Sequence, residues 1–280
     1  MGQISEAFFN LKRKGKRGFI PFITAGDPDL ETTRELIVEL ARAGATLIEL
    51  GVPFTDPMAD GPVIQRASER ALRNDFGLAE ILQTVTEARR QTDVPIILFS
   101  YFNPLLQFGV KENADKMSAL PAFEILARAA KQAGVDGLLV TDLVPEEASE
   151  FAPVLRANDL DMIFLVAPTS TDERLQMVAE RASGFIYAVS RAGVTGAQEE
   201  MSAEAEKLVS RVRKFSDLPV AVGFGISKPE QVADVWRYAD AAVVGSAIVE
   251  EIEQATSTAD AVSRVGQFAR KLIVARASCA

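Results

Sequence analysis

Residues 41–62 read ARAGATLIELGVPFTDPMADGP. The opening residues have the composition of a helix end, and Gly44 stands where a C′ glycine terminates a helix. Residues 46–50 follow at once as an apolar run of strand length, stopped by Gly51 and Pro53. Three carboxylates then gather before the next helix: Glu49 at the strand's end, and Asp56 and Asp60 in a loop punctuated by Pro57, Gly61 and Pro62. Acids at the mouth of a buried strand are poorly hydrated unless something needs them there. Asp56 and Asp60 have an ordinary alternative as loop acids capping the following helix. Glu49 is harder to dismiss, because Glu is depleted in strands and rarely buried without a partner.

The helix-end, glycine, strand pattern recurs. KQAGVDGLLV from Lys131 repeats ARAGATLIEL, and RYADAAVVG from Arg237 is a looser copy. Such a repeat signals successive βα units and a parallel sheet. Further short apolar runs mark strands at 19–24, 95–100, 137–140, 162–166, 184–188, 219–223 and 241–244. They are apolar on both faces, as a sheet covered by helices on its outside requires. Between them Leu36, Ile37, Leu40 and Ala41 share a helical face, as do Phe123, Leu126, Ala127 and Ala130. Asp29 is placed to cap a helix, and Ser170 with Glu173 and Ser227 with Glu230 have capping-box spacing. Residues 94–110 are uncharged but broken by Pro95, Pro104 and Gly109, which reads as a strand and its loop rather than a membrane span.

Eight strands alternating with helices is the number that closes a barrel. The expected fold class is therefore α/β, a (β/α)8 TIM barrel over residues 1–280, as one domain with an extra N-terminal amphipathic helix at 4–11 lying over one end. The length of 280 residues suits it, since such barrels run to about 250. A doubly wound open sheet is the runner-up, but no G-x-G-x-x-G follows the first strand.

Composition narrows the chemistry. A net charge of -9 argues against nucleic acid as a partner, and the basic residues at 12–17 read as solvated surface. The lone cysteine, Cys279, permits no intramolecular disulfide, and the first residues lack the order of a signal peptide. A cytoplasmic setting is expected, or the plastid stroma in a plant or alga. The chain has 0 histidines, which removes Ser-His-Asp and Cys-His nucleophilic sites and every histidine-ligated metal centre. No lysine falls within an expected strand, so Schiff-base chemistry is disfavoured. Acid–base work falls to carboxylates, tyrosines or lysines.

In a barrel of this kind sites form at the C-terminal strand ends. Those ends carry Asp27; Glu49 with Asp56 and Asp60; Tyr101 and Asn103; Asp142; Tyr187 with SRAGVTG; GFG at 223–225; and Gly245 with Ser246. The last two sit after strands seven and eight, where backbone N–H groups ahead of a helix can hold a phosphate. Tight strand–helix turns alone would also use these glycines. The loop at 190–196 has the composition of a lid or of a plain surface loop.

FITAGDPD, ELGVPFTDPMADGPVIQ, SRAGVTG, GFGIS and VVGSAIV, in this order, resemble the tryptophan synthase alpha chain family over nearly the whole sequence. The resemblance implies a lyase of tryptophan biosynthesis that cleaves indole-3-glycerol phosphate to indole and glyceraldehyde 3-phosphate. It implies Glu49 as acid–base catalyst, Asp60 as acceptor of the indole N–H, and Tyr187 beside Glu49. Phe22 and Tyr101 would line the indole pocket, Thr195 would belong to the lid, and Gly196, Gly225, Gly245 and Ser246 would bind phosphate. Asp56 would signal to a beta-chain partner in an alpha2-beta2 tetramer. Pyridoxal phosphate would belong to that partner, leaving this chain with no cofactor and no metal. The segment at 111–121 looks longer than the family's usual link, and Thr141 stands where proline is common. Another phosphate barrel, such as a sugar-phosphate isomerase or an indole-forming lyase that works alone, and a non-catalytic regulatory subunit are the competing readings.

Overall fold

The computed structural model describes residues 2–116, 122–189, 198–223 and 225–274. The strands are β1 (Gly18–Thr24), β2 (Ile48–Gly51), β3 (Ile96–Ser100), β4 (Gly137–Val140), β5 (Asp161–Val166), β6 (Ile186–Val189), β7 (Val220–Gly223) and β8 (Ala241–Val244). Each pairs in parallel with the next, and β8 returns to β1, which closes the barrel. The expected (β/α)8 architecture is what the chain forms.

The repeated stretch has a physical purpose at the N-terminal end of the barrel. Thr46, Asp136 and Asp240 hold equivalent places in the three copies, in the turn before an even-numbered strand. Thr46 Oγ1 accepts from Phe19 N at 3.0 Å, Asp136 Oδ2 from Ile96 N at 2.9 Å and Asp240 Oδ2 from Val220 N at 2.9 Å. Ser183 Oγ does the same for Met162 N at 3.0 Å. Each satisfies an N–H at the entry of the preceding odd-numbered strand, where the ladder offers no carbonyl, and each contributes about 0.5–1.5 kcal/mol.

Alternation within the strands sends Ile20, Leu47, Ile97, Leu139, Ile163, Phe185 and Ala221 into the barrel interior. Ile4 and Phe8 of the helix Gln3–Arg13 join the same cluster, with Phe8 5.8 Å from Phe185 between ring centroids. The N-terminal helix thus plugs the barrel floor with apolar side chains, leaving polar interior positions to the opposite end. Outside, the strands' other face packs beneath the helices in a continuous core. Asp29 caps Leu30–Ala43 through Thr32 N at 2.7 Å, and Gly44 closes that helix at φ 103°, both as the sequence suggests.

Three local expectations change. The helix Phe102–Lys116 follows β3 directly where a loop was expected. Asp142 Oδ1 accepts from Phe102 N at 2.7 Å and starts it, Pro104 falls in the first turn where its missing N–H is harmless, and Leu105 is buried. Gly109 is accommodated in that helix because the Ala122 carbonyl crosses where a Cβ would stand. Ser170 does not cap Asp172–Arg181; Thr171 does, accepting from Arg174 N, while Ser170 Oγ accepts from Ala167 N. Glu230 likewise yields to Gln231, whose Oε1 accepts from Ser227 N and Lys228 N at 2.9 Å. In both places the extended residue before the helix lies one position later than the motif spacing suggests.

Candidate active site

Strand pairing sets Glu49 level with Phe22 on β1 and Ile97 on β3. Because Leu47 faces the barrel interior, Glu49, two residues on, faces it too. It is 1 % exposed, and its Oε1 has no hydrogen-bond partner. Burial pushes its carboxyl well above the usual range. Across the interior Tyr187 is also buried, and its phenol is pushed up by burial and then by the charge of Glu49. Tyr187 therefore stays a neutral hydroxyl at neutral pH. Gly223 leaves room for it, since a Cβ there would overlap Tyr187 Oη.

Asp60 lies past β2, half-buried at the rim of a narrow cleft. Phe22, Gly51, Val52, Ile64, Phe99 and Tyr101 are among its walls. Phe22 and Phe99 meet edge to face at 5.3 Å, forming an aromatic wall that begins level with Glu49. Asp60 is pushed up to about 6, chiefly by burial, against the lowering hydrogen bond from Tyr101. Tyr101 Oη in turn accepts from Ala59 N at 2.8 Å, which ties the acidic loop to the end of β3. Burial first, and then Asp60 and Asp142, raise the Tyr101 phenol to about 12, so it remains a donor.

On the other side of Phe22 stands the start of Ser246–Glu253. Gly245 precedes that helix, and a Cβ on it would touch Phe22 Cβ at 3.6 Å. No acidic residue occupies the helix's first turn, so its N-terminal dipole faces the site unopposed. Gly225, after β7, holds φ 69°, the left-handed region that glycine tolerates. Gly225 and Ser246 are exposed at the same barrel end.

The structure thus brings Glu49, Tyr187, Phe22, Asp60 and Tyr101 together, with Gly245 adjoining. Thr195, Gly196 and the rest of the 190–197 loop lie outside the described residues, as do Phe224 and Cys279. Two acids among the strand-end candidates have structural partners instead. Asp27 is fully buried against Arg70, and Asp142 starts the helix after β3. Asp56 is exposed, accepting from Thr55 Oγ1 at 2.6 Å beside Met58, which is 85 % exposed. Sequence reasoning missed Ile64, Ser68, Ser100 and Thr24, which also line the cleft. For Thr24 the signal was present: it follows Phe22 by two residues on β1, on the same face. Among the described residues no group of three or more His, Cys, Asp or Glu could hold a metal ion, and no helix is long and apolar enough to cross a membrane.

Gly51 separates the two carboxylates and keeps the cleft open. A Cβ there would overlap the Phe22 ring, which is braced by Phe99 and cannot simply swing aside. Gly51→Ala is expected to raise KM and lower kcat/KM by roughly 10–100-fold through displacement of that ring. Steady-state kinetics on the variant check this, and unchanged constants would mean that Phe22 does not shape the occupied cleft.

Comparisons with known proteins converge on one family. Residues 8–276 match the family model described as tryptophan synthase alpha chain. The tryptophan synthase alpha chain of Geobacter sp. (strain M21) is 47% identical over 272 residues, covering 97% of both chains. Tryptophan synthase subunit alpha from Legionella pneumophila str. Paris superposes with a TM-score of 0.88 at 35% identity, covering 99% of each chain. The tryptophan synthase a2b2 complex from Pyrococcus furiosus contains a chain matching with a TM-score of 0.81 at 38% identity, over 92% of this chain and 99% of that one. The chain belongs to the tryptophan synthase alpha chain family.

Proposed function

We propose that Glu49 and Asp60 divide the acid–base work of the reaction this family performs, the cleavage of indole-3-glycerol phosphate in tryptophan biosynthesis. The observation that carries the assignment is the buried, inward-facing Glu49 carboxyl with an unpartnered oxygen, level with Phe22, which lines the cleft rimmed by Asp60. Glu49, whose burial favours the protonated form, donates a proton to ring carbon C3. The indole nitrogen then carries the positive charge, and ionised Asp60 accepts its N–H and stabilises that charge. Glu49, now a carboxylate, takes the proton from the hydroxyl on the adjoining carbon as the carbon–carbon bond breaks. Indole and glyceraldehyde 3-phosphate result, and Glu49 ends with the proton it began with. Tyr187 keeps a neutral hydroxyl near Glu49 throughout.

Phe22, Phe99 and Tyr101 supply the walls for the ring. Gly225, Gly245 and Ser246, with Thr195 and Gly196 from the loop at 190–197, would hold the phosphate through main-chain amides. The whole chain acts as one barrel domain that needs no cofactor of its own. The exposed surface of Phe54, Asp56, Pro57, Met58 and Leu72 adjoins Asp60 and suits a tryptophan synthase beta chain, as in the a2b2 complex of the Pyrococcus furiosus relative. Asp56 would transmit the state of the Asp60 loop to that partner, which would carry the pyridoxal phosphate, in the cytoplasm.

The test is indole release from indole-3-glycerol phosphate as a function of pH, with and without a beta chain. Ionised Asp60 is the competent form, so kcat/KM rises as pH passes upward through about 6. Protonated Glu49 is also needed, so the rate falls again at higher pH and the profile is a bell. Asp60→Asn removes the acid limb. A profile flat through pH 6, or a wild-type chain that releases no indole with its partner present, counts against the assignment.

A further inference from the structure

One hydroxyl in the cleft has no partner in the protein. Thr24 is 2 % exposed, lines the same cleft as Asp60, and its Oγ1 makes no hydrogen bond. Its register with Gly51 places it one layer above the Phe22–Glu49 pair, toward the mouth. Three nearby hydroxyls are engaged. Ser100 Oγ donates to the Tyr101 carbonyl at 2.9 Å, Tyr101 Oη accepts from Ala59 N, and Thr33 Oγ1 donates to the Asp29 carbonyl at 2.9 Å. The other buried side-chain oxygen left alone among the described residues is Glu49 Oε1, which the mechanism above assigns to the substrate. A desolvated hydroxyl without a partner destabilises the fold, and valine would fill the same shape without that cost.

We propose that Thr24 Oγ1 is a substrate-contacting atom, sharing the single N–H of the bound ring with Asp60 in a three-centre hydrogen bond. An indole offers polarity at only one edge. A hydroxyl and a carboxylate on the same side of an otherwise apolar cleft select the orientation in which the ring N–H meets Asp60 and C3 lies over Glu49. This inference rests on the cleft being the indole site.

Thr24→Val removes the oxygen and keeps the shape. It is expected to lower kcat/KM for indole-3-glycerol phosphate about tenfold and to weaken binding of a non-cleavable indole-3-alkyl phosphate by a similar factor. The thermal midpoint should be unchanged or higher, which a purely structural role would not give. Thr24→Ser should restore both constants. Thr24→Val with kcat/KM and Kd at wild-type values overturns the proposal. Should Thr24→Val fail to fold, Thr24→Ser and Thr24→Ala differ by the same oxygen, and equal constants for that pair overturn it. Wild type is assayed alongside. No indole from wild type defeats both the function and this inference, whereas active wild type with an equally active Thr24→Val defeats the role of the hydroxyl alone.

Discussion

Glu49→Gln is expected to lower indole release by roughly 10²–10⁴-fold, the scale of lost general acid–base catalysis. The substitution keeps the size of the side chain and removes the proton that the carboxyl alternately gives and takes. Nothing else at that depth can substitute: the barrel interior around Glu49 is Phe22, Ile97 and Tyr187, and the Tyr187 phenol is held neutral. The same variant should report on stability. Burial raises the Glu49 carboxyl above 4.5, its value in an unfolded chain, so the folded state binds that proton more tightly. Stability associated with the group is therefore complete below about pH 4.5 and is lost as pH rises through the folded value. Glutamine has no such titration. The stability of Glu49→Gln relative to wild type should increase with pH, measured by denaturant unfolding at several pH values. Near-normal turnover by this variant would remove Glu49 from the mechanism.

Arg70→Ala should destabilise the fold by about 3–5 kcal/mol, through the charge it abandons. Asp27, at the exit of β1, has a side chain 0% exposed, and Arg70 on Pro62–Ala71 grips both its oxygens at 2.8 and 2.9 Å. Arg70 Nη1 also reaches Glu253 Oε1 at 2.7 Å, and Arg66 grips both oxygens of Glu253. One cluster thus ties the helix after the Asp60 loop to β1 and to the helix that begins at Ser246. Burial already raises the Asp27 carboxyl despite Arg70. Without Arg70 the charged form becomes costlier, so the loss should be largest at neutral pH and shrink as acid protonates Asp27. Asp27→Asn in the Arg70→Ala background should recover much of the loss. Denaturant unfolding of the single and double variants decides it; a loss below about 1 kcal/mol would make this an ordinary surface pair.

The proposed partner face and the cleft share one loop. Tyr101 holds Ala59 from beneath while Asp56 and Met58 stand exposed above, so a protein docking on that surface would press directly on the residues that set Asp60.

Much of this was legible in the chain itself. The recurring glycine and apolar run announced parallel βα units because a strand buried on both faces cannot tolerate polar positions. The absence of histidine left carboxylates as the acid–base groups, and Glu49 stood out because its strand offered no reason for a charge. Local rules failed where a neighbour decided the outcome. The helix after β3 starts because Asp142, from the next strand, caps it. The capping pairs at Ser170 and Ser227 slipped by a residue because the backbone entering each helix is set by packing.

What the sequence alone determined is periodicity and chemistry: eight strands, an apolar plug at one end, acids at the other. Closure of the barrel determined which of those acids stay bare. Asp27, Asp142 and Glu49 all sit at strand ends, and their local sequence does not show which of them finds a structural partner. Tertiary structure delivers Arg70 to the first and a helix N–H to the second, while burying Glu49 Oε1 with no partner. Hydrogen-bond satisfaction depends on atoms distant along the chain, so only the assembled fold distinguishes a carboxyl spent on structure from one left for chemistry.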